Sequence, residues 1–206
     1  MAALSSGSLA SGIRRPSIRG GFASTATTRC AWYCKLGLDL LTPPDDLLLH
    51  VPAGFLHRKV DLVTLGDARG LVYPRFVKSL VPKQIRSRVY HSVAELEDEC
   101  KGLESSTSLL SSDVVDFQSE ARCFVLNGEV LDCAAYEGEV DGAHVSSFTQ
   151  RLAAAMTLPP AVVVDVGRLA DGYALLEFNA AWGAGLNGCN AGRVLPAIAH
   201  ASAPPT

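Results

Sequence analysis

The chain has 206 residues and a formal net charge of −3, enough length for one sizeable core and no whole-chain basic excess of the kind that nucleic acid attracts. Its 48% apolar and 19% charged content suits a folded soluble domain, and no apolar run is long enough for a membrane-spanning helix. The expectation is a cytoplasmic protein with neither nucleic acid nor membrane as partner.

Residues 1–29 are rich in Ser, Ala and Gly, carry Arg14, Arg15, Arg19 and Arg29, and contain no acidic residue. That composition fits a disordered tail or an organelle transit peptide, and the latter would move the protein to an organelle. Of the six cysteines, Cys30, Cys34, Cys100, Cys123, Cys133 and Cys189, none forms a Cys-x-x-Cys pair, so they read as reduced thiols. Leu36 to Leu49 is leucine-rich but broken by Pro43-Pro44 into two short pieces. Leu71 to Lys78 reads as a strand ending on the lysine. Ser92-Val93-Ala94-Glu95 is a capping box that starts a helix stopping near Gly102. Leu109 to Phe117 is a second strand candidate. Ala121 to Leu126 and Glu129 to Tyr136 flank Asn127-Gly128, the strongest short hairpin signal. Ala143 to Met156 reads as a helix closed by Leu158-Pro159-Pro160. After a second hairpin, a small-residue loop from Ala180 to Cys189 leads to a last helix around Arg193 to Ala201 and a loose tail, Ala203 to Thr206. Antiparallel strand pairs with helices between them make the fold class α+β.

The second hairpin carries the most chemistry. Ala161-Val162-Val163-Val164-Asp165 ends on a carboxylate, and Tyr173-Ala174-Leu175-Leu176-Glu177-Phe178-Asn179 ends on Glu-x-Asn. Two carboxylates and an amide oxygen form a hard-oxygen set suited to Mg²⁺, which takes phosphate oxygens and waters as its other ligands. Register decides whether they meet. A two-residue loop Asp171-Gly172 puts Asp165 opposite Phe178 and turns Glu177 and Asn179 away. A three-residue loop Ala170-Asp171-Gly172 puts Asp165 opposite Glu177, with Asn179 on the same side. The alternative to a metal site is that Asp165 and Asn179 only cap strand ends. The histidines His50, His57, His91, His144 and His200 fall in no ligand-like pair.

The remaining polar residues fall in a recognisable order: Phe76-Val77-Lys78 with Lys83 beyond, Ser112-Asp113-Val114-Val115-Asp116-Phe117, Glu120-Ala121-Arg122, then Asp165 with Glu177-Phe178-Asn179-Ala180-Ala181-Trp182-Gly183-Ala184-Gly185-Leu186. From about Leu47 to Ala201 this order resembles the ATP-grasp superfamily, in particular its short domain proteins of bacteria and their viruses. The resemblance implies two α+β lobes of antiparallel sheet gripping ATP, with an ATP-grasp domain over 71–202. It implies a partial N-terminal region over 30–70, where relatives carry a small α/β domain that is here truncated or absent. It implies that Lys78 and Lys83 bind phosphates, that the backbone of Asp113, Val114 and Val115 reads adenine, and that Glu120 takes the ribose hydroxyls. Asp113 stands where many relatives have Glu. Arg122 matches an arginine facing the phosphates or an acyl phosphate, and Arg168 is a second candidate for reaching substrate. Asp165, Glu177 and Asn179 match the Mg²⁺ ligands. The activity implied is an ATP- and Mg²⁺-dependent ligase that converts a carboxylate into an acyl phosphate for attack by an amine or similar nucleophile, with amino acids or peptides as candidate substrates. The alternative is a catalytically weak ATP-binding module.

Overall fold

The computed structural model describes residues 37–202, so the arginine-bearing segment 1–29, Cys30, Cys34 and the tail 203–206 lie outside the described residues. Among the described residues, eleven regular elements run in chain order: β1 (Val60–Thr64), β2 (Arg75–Ser79), β3 (Arg88–Tyr90), α1 (Val93–Glu99), β4 (Ser108–Ser112), β5 (Ser119–Leu126), β6 (Glu129–Glu137), α2 (Gly142–Ala155), β7 (Ala161–Leu169), β8 (Gly172–Asn179) and α3 (Ala191–His200). Short 3₁₀ turns at Leu47–His50 and Ala53–Phe55 precede them, the first just after Pro43-Pro44. The strands form two four-stranded sheets, β1-β4-β2-β3 and β6-β5-β7-β8, with every pairing antiparallel. The expected α+β class is what the chain adopts.

Local signals explain the helix ends. Ser92 Oγ accepts from Glu95 N at 3.3 Å, the first half of the expected capping box. The Glu95 carboxylate reaches one residue further back than expected and accepts from His91 N at 3.1 Å. Asp141 caps α2 by accepting from Ala143 N at 2.9 Å and His144 N at 3.3 Å. The Asn127-Gly128 hairpin forms with both residues at positive φ, 49° and 79°, the conformation this dipeptide favours.

Two expected strands are shorter than read. β2 begins only at Arg75, because Pro74 has no N–H for a ladder. β4 ends at Ser112, because the Asp113 carboxylate is drawn aside: it accepts from Arg75 Nη1 at 2.6 Å and from Lys59 N at 3.1 Å. β1, which pairs with β4 at the edge of the first sheet, had no clear signature in sequence.

Both faces of the second sheet are covered. On one face Ala121, Cys123, Val125, Val162, Val164, Val166 and Leu175 pack under Val145, Phe148 and Leu152 of α2. On the other, Phe124, Ala161 and Val163 pack against Val194 and Ala197 of α3. This double burial explains why β7 reads as a continuous valine run. Val162, Val163, Val164 and Val166 have no exposed surface, and burial of a side chain of this size stabilises the fold by roughly 1.5–3 kcal/mol. The first sheet has its own core, in which Val77, Tyr90 and Leu109 meet Leu96 and Cys100 of α1.

The hairpin β7–β8 corrects the expected loop. Leu169 pairs with Gly172, so the loop is Ala170-Asp171 rather than Ala170-Asp171-Gly172. Asp165 nevertheless pairs with Glu177, because a β-bulge at Leu176 shifts the register by one residue between the Val166–Leu175 and Asp165–Glu177 pairs. The bulge lets Leu175 enter the core under α2 while Glu177 turns to the opposite face.

Candidate functional site

On β7 the odd-numbered residues Ala161 and Val163 face α3, and Asp165 continues that face beyond the end of the helix packing. Arg122 of β5 is its cross-strand partner. The guanidinium grips the carboxylate at two points, Nε to Oδ1 at 2.8 Å and Nη2 to Oδ2 at 2.6 Å, and Nη1 donates to Gly185 O at 2.9 Å. Both side chains are withdrawn from solvent, Asp165 with 2% and Arg122 with 11% exposed. Burial pushes the Asp165 carboxyl above its usual range, opposed by its hydrogen bonds and charge attraction to Arg122. The Asp165 contact in turn raises Arg122.

Asn179 Nδ2 donates to Asp165 Oδ2 at 2.9 Å and to Glu177 Oε1 at 3.0 Å, so two carboxylates and the amide converge on one point. Lys78, at the end of β2 in the other sheet, brings Nζ to 3.4 Å from Glu177 Oε2. The convergence therefore lies where the two sheets meet. Hard oxygens from two carboxylates and a carboxamide fit a divalent cation such as Mg²⁺, whose remaining ligands come from phosphate and water. Among the described residues no three His, Cys, Asp or Glu side chains cluster, so an all-protein cage of those residue types is not available.

Two clefts flank this point. One, of about 490 Å³, is lined by Lys78, Lys83, Arg122, Glu177 and Asn179, with the segment Thr42 to Asp45 and the loop Ala180 to Gly185 as walls. Lys83 is exposed and holds a left-handed backbone at φ 68°, uncommon outside glycine. The other cleft, of about 330 Å³, is more apolar. Phe76, Val89, Leu110, Phe117 and Leu176 line it, together with Asp113, Val114 and Val115 and, at one end, Glu120 and Tyr136. Lys78 and Glu177 belong to both clefts. Burial raises the Tyr136 phenol above its ordinary pKa, and a hydrogen bond with Glu120 adds to the shift.

The structure thus brings together Lys78, Lys83, Arg122, Asp165, Glu177 and Asn179 around one cleft, and Asp113, Val114, Val115 and Glu120 around its neighbour. Arg168 is not brought to either. It lies one residue out of phase with Asp165, on the face of Val166 and out in solvent. Trp182 packs beside the site and donates from Nε1 to Thr42 Oγ1 at 3.2 Å. The cysteines at 100, 123, 133 and 189 are free thiols away from this chemistry, and burial pushes Cys189 up to about 11.

Sequence reasoning missed two features of the second cleft. The ring of Phe117 lies over Gly167, where an added Cβ would meet Phe117 Cδ1 at 2.1 Å and Leu176 Cδ1 at 2.5 Å. A lone glycine inside a valine-rich strand is the available signal for such a close approach. Arg58 also lines the cleft, with Nη1 donating to Leu175 O at 2.7 Å and Nη2 to Leu176 O at 3.1 Å. Its burial lowers its pKa. Nothing in the local sequence marks this contact, which joins residues far apart in the chain.

Comparison with known proteins places this arrangement. No curated protein matches the chain in sequence. Among solved structures, D-alanine–D-alanine ligase from Bacillus anthracis superposes with a TM-score of 0.50 at 13% identity, over 77% of this chain and 58% of that one, a likeness of fold alone. A RimK domain protein ATP-grasp from Sphaerobacter thermophilus DSM 20745 gives a TM-score of 0.49 at 16% identity, over 66% of this chain and 55% of the other. The ATP-grasp ligase PsnB, complexed with precursor peptide PsnA2 and AMPPNP, gives 0.45 at 19% identity, over 82% and 52%. The chain therefore spans between about half and three-fifths of the length of these proteins. A family model described as an ATP-grasp domain matches residues 55–197 and so covers both sheets and most of α3. The chain belongs to the ATP-grasp superfamily.

Proposed function

We propose that this chain is an ATP- and Mg²⁺-dependent ligase that activates a carboxylate as an acyl phosphate for attack by an amine or similar nucleophile. The observation that carries the reading is the meeting of two carboxylates, an amide and three cations between two sheets in an ATP-grasp chain.

In this reading the apolar cleft takes adenine against the backbone of Asp113, Val114 and Val115, and Glu120 accepts from the ribose hydroxyls. The Asp113 side chain keeps that backbone edge in place through Arg75 and Lys59. Lys78, Lys83 and Arg122 neutralise phosphate charge, Arg122 through a planar fork suited to phosphoryl oxygens. Asp165, Glu177 and Asn179 would hold Mg²⁺. Bound there, it supplies Lewis-acid stabilisation to the phosphoryl oxygens. A substrate carboxylate oxygen then attacks the γ-phosphorus as the bond to ADP breaks, and the nucleophile displaces phosphate from the acyl carbon. The protein's part is positioning and charge, which dominate phosphoryl transfer. Arg168 has no assigned part.

The test is ADP release in the presence of hydroxylamine, with amino acids and short peptides screened as substrates. The expected products are ADP, phosphate and a trapped hydroxamate. AMP and pyrophosphate would overturn the acyl-phosphate mechanism. Tight Mg²⁺-ATP binding with no turnover under any condition would make the chain an ATP-binding module instead.

A further inference from the structure

We propose that Arg58 is a positioning residue whose guanidinium holds the β8 bulge at Leu176 and so keeps Glu177 on the same face as Asp165. The inference rests on the reading of Glu177 as part of the nucleotide–metal site.

β8 is the edge strand of its sheet, so carbonyls on its outer side have no ladder partner. In a regular strand, successive carbonyls point to opposite edges, and one fork cannot take both. Here Arg58 donates to the consecutive carbonyls of Leu175 and Leu176, at 2.7 Å and 3.1 Å. Nη1 also donates to Leu56 O at 3.1 Å, and the guanidinium carbon lies 5.7 Å from the centroid of the Phe117 ring. The fork is thus fixed on its own side and matches only the bulged backbone. Without the bulge, the pairing set at Leu169–Gly172 would run on unchanged. Asp165 would then face Leu176, and Glu177 would turn toward the core under α2. Glu177 would lose Lys78, and the convergence at Asn179 would open. Lysine cannot replace the fork, because an ammonium is a single point charge.

The experiment uses Arg58→Met and Arg58→Lys beside the unaltered protein. The first readout needs no nucleotide. A zero-length carbodiimide couples Lys78 to Glu177, and mass spectrometry quantifies the linked peptides, with the Asp98–Lys101 pair as internal control. Both variants should lose the Lys78–Glu177 link by about tenfold, the change that 1.4 kcal/mol makes in an equilibrium, while the control link is unchanged. The second readout is ADP affinity with and without Mg²⁺. Both variants should lose the Mg²⁺ enhancement and retain the metal-free affinity. An unchanged Lys78–Glu177 link in a folded variant overturns the proposal, as does an equal fall in affinity with and without metal. Should Arg58→Met not fold, Arg58→Lys carries the same test, and a wild-type link in it overturns the argument. Absence of any Mg²⁺ enhancement in the unaltered protein would refute the nucleotide–metal reading, and the cross-link would still decide the positioning role.

Discussion

Replacing Arg122 by methionine removes the fork but keeps most of the aliphatic bulk. Asp165, with 2% of its side chain exposed, would then retain the Asn179 amide as its side-chain donor. Removing one partner of a buried pair costs roughly 3–5 kcal/mol, because the other charge is left uncompensated. That is a large share of the roughly 5–15 kcal/mol that holds a typical domain together. The loss is pH-dependent, and its sign follows from proton binding. Burial already holds the Asp165 carboxyl above its ordinary value, and losing Arg122 raises it further. A folded-state pKa above the unfolded one means that the native state binds the extra proton. Stability therefore falls as pH rises from the ordinary carboxylate range through the raised pKa, by at most about 1.4 kcal/mol per pH unit. Urea unfolding at pH 7 and at pH 5 should show Arg122→Met much weaker than the unaltered protein at pH 7, with part of the loss recovered at pH 5. Adding Asp165→Asn removes the buried charge and should restore most of the stability at pH 7. A single variant within about 1 kcal/mol of the unaltered protein at pH 7, the size of a surface pair, would refute the reasoning. So would an equal loss at both pH values.

Glu177→Gln should abolish Mg²⁺-dependent ADP release yet change stability by less than about 1 kcal/mol, since the carboxylate is 42% exposed. Turnover assays and thermal melts read the two effects separately. Lys78→Ala should weaken Mg²⁺-ATP binding by roughly 1.5–3 kcal/mol, the worth of a hydrogen bond to a charged group, and leave adenosine binding nearly unchanged, as calorimetry would show. Gly167→Ala drives a methyl group into Phe117. It should cost about 1–3 kcal/mol of stability, as overpacking does, and weaken adenosine binding through the displaced ring, which melting curves and calorimetry together would check.

The sequence displayed the elements whose chemistry is local. Asn127-Gly128 fixed one hairpin, and Ser92 and Asp141 mark helix starts by the N–H groups they accept. The pairing of Asp165 with Glu177 was legible too, but by a different route from the one taken. A three-residue loop and a two-residue loop followed by a bulge give the same register beyond the bulge, so the alternation at Glu177 and Asn179 cannot tell them apart. Only Gly172 to Leu175 are placed differently, and there the bulge sends Leu175 into the core. Arg168 was misplaced because nearness to Asp165 in sequence was weighed above strand parity. Arg58, β1 and the ring of Phe117 over Gly167 depend on partners distant in the chain, which local patterning does not register.

The place of Asp165 on β7 has a kinetic consequence. β7 is paired on both sides, by β5 and β8, and covered on both faces, so its amides open only with the unfolding of the sheet. Lys83 stands instead in an exposed turn between edge-side strands, where opening needs far less free energy. Amide hydrogen exchange should accordingly be slowest at the carboxylate and fast at this lysine. An incoming polyphosphate would meet a frame of acidic ligands already fixed in place, with an outer cation that adjusts to it.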